Sequence, residues 1–340
     1  MADSDWVVVG LDNGGTCNNA TVLTESGEFL VDQLVENASR VHDGPEVAVA
    51  SLAESFERVL YLTGTPRAVV RAIGLDTPGP ASADGVISSK GATNFSETAW
   101  RGFDFRSALE RRIGVPVVYN NDGNAAALYA HYAFFGEAAA DNSSVSAIVG
   151  TGLGGGVIEA GRVVSGAAGM AGELGHVHIP MQGLLADDQP MPVCNCGFIG
   201  DAESVASLTA IEKNLLPYWL TRFPGHELAA LDPHTAAKRV RSLAESGDPL
   251  AMEIFEQQAM ALGRLFTIAS NFTDPSGYFV GGGVIEAAPS FREWFLARVR
   301  AHTSLRAEQI DVAHFAVVPD LDMAGARGAA IAARTIVLGD

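Results

Sequence analysis

Short apolar runs alternate along the chain with glycine-rich turns and with stretches whose apolar residues recur every three or four positions. The first run, Val7-Val8-Val9-Gly10-Leu11, stops at Asp12-Asn13-Gly14-Gly15-Thr16. A β-rich run over 20–23, the turn Glu25-Ser26-Gly27-Glu28 and a third run from Phe29 follow. That order predicts strand, glycine turn, strand: a hairpin and not the strand-to-helix step of a Rossmann or P-loop unit. Val49, Leu52, Phe56, Val59 and Leu60 predict a helix over 45–62. Residues 68–75 read as a buried strand that breaks at Thr77-Pro78-Gly79-Pro80. A helix over 105–113 and a strand over 115–119 lead to Asn120-Asn121-Asp122-Gly123-Asn124, which opens a helix starting Ala125-Ala126-Ala127-Leu128.

The second half repeats the plan. A strand over 145–149 ends in Gly150-Thr151-Gly152-Leu153-Gly154-Gly155-Gly156, and Val157-Ile158 begins its hairpin partner. Helices are expected over 249–270 and 290–302, with the strand 278–280 between them running into Gly281-Gly282-Gly283. A last helix over 324–337 is expected to pack back on the first domain. The fold class is therefore α/β with two lobes: a small one over 1–120 plus 324–340, and a large one over 121–323. No low-complexity linker separates them, so a tight cleft between the lobes is expected. The polar pair Asn18-Asn19, opening the second strand, has no explanation in the pattern.

Composition narrows the function. The chain has 340 residues, 48% of them hydrophobic and 18% charged, which suits two domains with a sizeable core. A net charge of -18 and the lack of any basic run argue against a nucleic-acid surface. The N-terminal Met1-Ala2-Asp3-Ser4-Asp5 lacks the features of a leader, and no apolar stretch approaches a membrane span. The three cysteines make no disulfide framework, so a cytoplasmic protein is expected.

The 37 glycines cluster, which points to loops that cradle phosphates. Two glycine turns closing hairpins can bring backbone N–H groups to one polyphosphate. In the first, Gly14, Gly15 and Thr16 are the candidates; in the second, Gly150, Thr151 and Gly152. Asp12 suits Mg²⁺ ligation. Asp122 either caps the helix it opens or serves as a base in group transfer, and its local sequence permits both.

Taken in order, Asp12-Asn13-Gly14-Gly15-Thr16, Asn121-Asp122, Gly150-Thr151-Gly152-Leu153-Gly154, Glu173-Leu174-Gly175-His176 and Cys194-Asn195-Cys196-Gly197 resemble the ROK family of sugar kinases and repressors. The resemblance runs from residue 7 to at least 285. It implies the actin-like ATPase fold, with two ribonuclease-H-like lobes closing over ATP and sugar. Gly281, Gly282 and Gly283 would then lie near the adenosine, in the large lobe. Asp122 corresponds to the family's general base, and Asn94, Asn121, Glu173, His176 and Glu203 to its sugar ligands. A set of amides and carboxylates suits a polyol.

The family's zinc motif, Cys-x-Cys-Gly-x-x-Gly-Cys-x-Glu, is altered here: Asp201 stands where the third cysteine belongs. His176, Cys194, Cys196 and Asp201 are the expected ligands of a structural zinc, with a harder oxygen in place of one thiolate. The implied activity is ATP-dependent phosphorylation of a primary hydroxyl on a hexose or hexose-like ring. Glucose is the default, and an amino sugar, an N-acetylhexosamine, fructose or a C7-cyclitol are the alternatives. A DNA-binding regulator is disfavoured because the first strand begins by residue 6. A non-catalytic sugar sensor would be expected to have lost Asp122 or the glycines. The resemblance also implies a homodimer or homotetramer.

Overall fold

In a computed structural model, residues 6–79, 81–90 and 95–339 are described. The leader reading of Met1 to Asp5 and the sugar role of Asn94 fall outside these residues. The chain forms two compact units. One comprises Met1–Gly136, Arg162–Gly172 and Pro319–Asp340, and the other Glu137–Gly161 and Glu173–Val318.

The first unit begins with β1 (Val7–Asn13), β2 (Cys17–Thr24), β3 (Glu36–Ala38), α1 (Pro45–Thr63) and β4 (Val70–Thr77). Then come α2 (Phe105–Ile113), β5 (Val117–Asn121) and α3 (Asp122–Phe135). Its sheet has the order β3-β2-β1-β4-β5, with β1 antiparallel to β2 and parallel to β4. β1 is buried along almost its whole length, as its unbroken apolar run demands. α1 starts with Pro45 at its first position and ends at Gly64 in the left-handed region, the asymmetry expected of helix ends. The expected third strand from Phe29 forms only a single bridge to Leu23, and the strand comes later, as β3. Phe29 is drawn instead into aromatic packing with Tyr129, under the guanidinium of Arg327.

The second unit contains β6 (Ser144–Val149), β7 (Leu153–Glu159), α4 (Leu208–Ala210) and α5 (Leu216–Arg222), while β8 (Arg162–Val163), the edge strand of its sheet, opens the stretch counted with the first unit. It continues through α6 (Pro233–Glu245), α7 (Pro249–Thr273), β9 (Gly277–Gly281), α8 (Pro289–Ala301), α9 (Ala307–Ile310) and β10 (His314–Val317). Its sheet runs β10-β9-β6-β7-β8. β6 is antiparallel to β7 and parallel to β9, and β9 is parallel to β10. The expected repeat is thus present at the level of topology: each unit has a glycine-turn hairpin whose first strand leads into two parallel strands.

The chain then returns to the first unit as α10 (Leu321–Leu338). α10 lies against the sheet so closely that a Cβ on Gly74 would fall 1.8 Å from the Ala329 carbonyl oxygen. One on Gly10 would fall 1.9 Å from that of Ala326. Gly328 lies equally tight against Ala125 of α3. This seam draws α3 into the first unit, so the division falls after Gly136, where the sequence pattern placed it after 120. No helix among the described residues is long and apolar enough to cross a membrane.

Candidate active site

In the first unit, β1 ends in a turn closed by the Gly14 amide donating to the Cys17 carbonyl at 2.9 Å. A side chain at Gly14 would meet that carbonyl at 2.8 Å, so the turn requires glycine. The Asn18-Asn19 pair now has a reason. Asn18 accepts from Asn13 Nδ2 at 2.7 Å and donates to Ser51 Oγ at 3.1 Å, pinning both hairpin strands to α1. Asn19 donates to Asp12 Oδ2 at 3.5 Å.

Asp122 is the first residue of α3, and its side chain is exposed. The cap is Asn121, whose Oδ1 accepts from the Gly123 amide at 2.9 Å. The same amide also donates to Asp122 Oδ1 at 2.7 Å. The capping role that local sequence allowed for Asp122 therefore belongs chiefly to its neighbour.

A second carboxylate stands behind the first loop, and the sequence reading missed it. Asp76 on β4 pairs in register with Asp12 on β1, so both side chains leave the same face of the sheet. Asp76 is fully buried. Burial pushes its carboxyl well above the usual carboxylate range, and the charges of Asp12 and Asp122 push it further. Burial raises Asp12 as well, against hydrogen bonds from Asp76 and from Asn19. Beside them the Tyr119 hydroxyl meets Thr77 Oγ1 at 2.8 Å, and burial raises the phenol above its ordinary range. The signal for Asp76 is an acid directly after the apolar run Ala72 to Leu75 of β4.

In the second unit, the carbonyl oxygens of Gly150 and Thr151 accept from the amides of Leu208 and Thr209 at 2.9 and 3.1 Å. The start of α4, capped by Ser207, thus holds the second glycine loop from behind. Gly282, at φ 90°, sits so close to the Val149 carbonyl that only glycine fits. Gly281, Gly282 and Gly283 are thereby fixed beside that loop. Gly150, Thr151 and Gly283 share a cavity of about 400 Å³ with Leu208, Phe255 and Val284. Two cations that the sequence reading passed over, Lys238 and Arg241 of α6, also line it. Arg241 is held by the Gly283 carbonyl at 2.5 Å and by Glu286 at 3.7 Å.

Glu203 joins two parts of this unit. Its Oε2 accepts from the Leu153 amide at 2.8 Å, its Oε1 accepts from Cys194 Sγ at 3.0 Å, and its own amide donates to the Gly175 carbonyl. Glu173 is exposed just before the single turn that carries His176. His176, Cys194, Cys196 and Asp201 place one ligand atom each within 4.8 Å of one another. His176 Nδ1 is 3.2 Å from Asp201 Oδ2 and 3.7 Å from Cys196 Sγ. The Cys196 amide donates to Cys194 Sγ at 3.4 Å, which favours a thiolate there, whereas burial and Glu203 push the Cys194 thiol upward. One imidazole nitrogen, two sulfurs and one carboxylate fit a closed tetrahedral metal site.

The ROK family model matches residues 8–336. The chain belongs to the ROK family. Among ROK relatives, a glucokinase of Halalkalibacterium halodurans is 33% identical over 84% of this chain and 82% of its own length. The ROK hexokinase of Thermus thermophilus superimposes with a TM-score of 0.76 at 31% identity, covering 98% of this chain and all of that one. A ROK glucokinase of Streptomyces griseus, solved with glucose and AMPPNP, gives 0.68 at 27% identity, covering 97% and 99%. The fold of this ROK chain is that of the actin-like ATPases, and its activity is that of an ATP-dependent sugar kinase.

Proposed function

We propose that the chain transfers the γ-phosphoryl group of ATP to a primary hydroxyl of a hexose, with glucose at its 6-hydroxyl as the first substrate to test. The observation that carries this reading is the placement of Asp122: an exposed carboxylate at a helix start whose cap is supplied by Asn121, in the same unit as the first glycine loop. In the reaction, Asp122 accepts the hydroxyl proton, the sugar oxygen bonds to γ-phosphorus, and the bond to the β,γ-bridging oxygen breaks to release ADP. The amides of Gly15, Thr16, Thr151 and Gly152 hold phosphate oxygens, and the cavity beside Gly283 takes the adenosine. Asn121, Glu173, His176 and Glu203 bind sugar hydroxyls. Asp12 holds Mg²⁺, which when bound neutralises charge on the phosphate oxygens. The glucose and AMPPNP of the Streptomyces griseus relative support the substrate pair.

An ADP-release assay with Mg-ATP tests the reading against glucose, amino sugars, N-acetylhexosamines, fructose and cyclitols. Turnover is expected on one ring, and that ring names the substrate. Silence across the panel in a chain that binds ATP overturns the hexose assignment and favours a sensor.

Zinc belongs to this reading as a structural ion on His176 Nδ1, Cys194, Cys196 and Asp201. Held there, the imidazole presents its other nitrogen in a fixed direction. Elemental analysis of the purified chain is expected to find one zinc per chain, and Asp201→Ala to lose it. Sugar KM should then rise by about 10–100-fold, the usual cost of disturbing a metal's surroundings. A zinc-free protein with full activity would sink the assignment.

A further inference from the structure

Asp76 has no place in the reading above. It is fully buried, and with both acids ionised neither of its oxygens has a hydrogen-bond donor. A lone buried carboxylate is costly unless something neutralises it. What faces it in register is another acid, Asp12. The row continues across the sheet to Asn19 beside Asp12 and Asn120 beside Asp76. Asn19 Oδ1 and Asn120 Nδ2 are likewise buried atoms without a partner.

Over this row lies α10, at Gly325. A Cβ there would come within 2.8 Å of Asp76 Oδ2 and 3.1 Å of Asp12 Oδ2, so those two oxygens converge on one small space. Each carboxylate brings one hard oxygen to that space, Asp76 Oδ2 and Asp12 Oδ2. Oxygen-only surroundings select Mg²⁺ or Mn²⁺ over softer metals. Asp12 is only half-buried, which leaves a way in.

We propose that Asp12 and Asp76 together form a two-carboxylate seat for one divalent cation, with Asp76 as a ligand that the phosphate-loop motif does not include. The inference deepens the kinase reading of the same site, but it needs neither the sugar nor turnover. Two carboxylates let the chain hold its cation before ATP arrives. A phosphate loop with Asp12 alone would depend on the nucleotide's own oxygens to bring the ion in. The other way to relieve the pair is a proton on Asp76 donated to Asp12, and a binding measurement separates the two.

The full-length chain is titrated with Mn²⁺ in the absence of nucleotide and sugar, and free ion is read from its electron paramagnetic resonance signal. One bound Mn²⁺ per chain, displaced by Mg²⁺, is expected. Asp76→Asn and Asp12→Asn should each weaken binding at least about tenfold, while Asp122→Asn, whose charge acts on Asp76 less strongly than that of Asp12, should weaken it less. Thermal unfolding of each variant verifies that it folds. Should Asp76→Asn fail to fold, the wild-type titration and Asp12→Asn still decide. A wild-type chain that takes up no ion without nucleotide overturns the proposal. So does an Asp76→Asn variant that gains thermal stability and binds Mn²⁺ as before, because Asp76 is then a protonated acid. Neither result touches the kinase reading, which the ADP-release panel decides separately.

Discussion

Asp122→Asn is expected to lower kcat roughly a thousandfold, with KM for sugar and ATP nearly unchanged. General-base assistance contributes about 10²–10⁴-fold, and the amide of Asn cannot take the hydroxyl proton. The change keeps the shape of the side chain, and the helix keeps its cap because Asn121, not Asp122, supplies it. The Gly123 amide retains its bond to Asn121 Oδ1. Folding and binding should therefore survive while chemistry fails, a split that steady-state kinetics with a thermal-unfolding control can read. Turnover near the wild-type rate would remove Asp122 from the mechanism. A joint rise in both KM values with kcat preserved would instead make it a binding residue.

The largest effect on stability is expected at the seam between α10 and its sheet. Gly74→Ala places a methyl group 1.8 Å from the Ala329 carbonyl oxygen, and what it strikes is backbone that cannot rotate aside. Overpacking costs about 1–3 kcal/mol where side chains can adjust. Here α10 itself must lift, so a loss at or above ~3 kcal/mol is expected. That is a large share of the ~5–15 kcal/mol that holds an ordinary domain together. Gly154→Ala is the matched control. It sits exposed on β7 at an ordinary φ, with open space where its Cβ would go. There the loss of backbone freedom in the unfolded chain should stabilise by about 0.4–1 kcal/mol. Urea unfolding of the two variants should give opposite signs, and a Gly74→Ala chain as stable as wild type would refute the packing at this seam.

The same seam separates what the chain declares locally from what its fold decides. α1 and α2 were legible nearly to the residue, because an apolar stripe, Pro45 at one start, and Gly64 and Gly114 past the ends are local signals. The doubled plan of strand, glycine turn and strand was equally plain, since a hairpin is specified by the few residues that turn it. The order of the motifs around Asp12, Asp122 and Cys194 also carried the family, and with it the class of reaction. Other features came only with the tertiary structure. The placement of α3 depends on Gly328 meeting Ala125, which lie two hundred residues apart, and no local pattern encodes that contact. Phe29 reads as strand by composition, yet its ring is taken by Tyr129 and Arg327. Lys238 and Arg241 look like solvated positions on an amphipathic helix until α6 is laid beside the second glycine loop. Asp76 is the sharpest case. Along the chain it is one acid directly after a short apolar run. Only the register between β4 and β1 sets it opposite Asp12 and makes the pair a problem in buried charge. Periodicity and end signals act over a few residues and can be read in order, whereas register and close helix packing couple distant residues and exist only once the chain has folded.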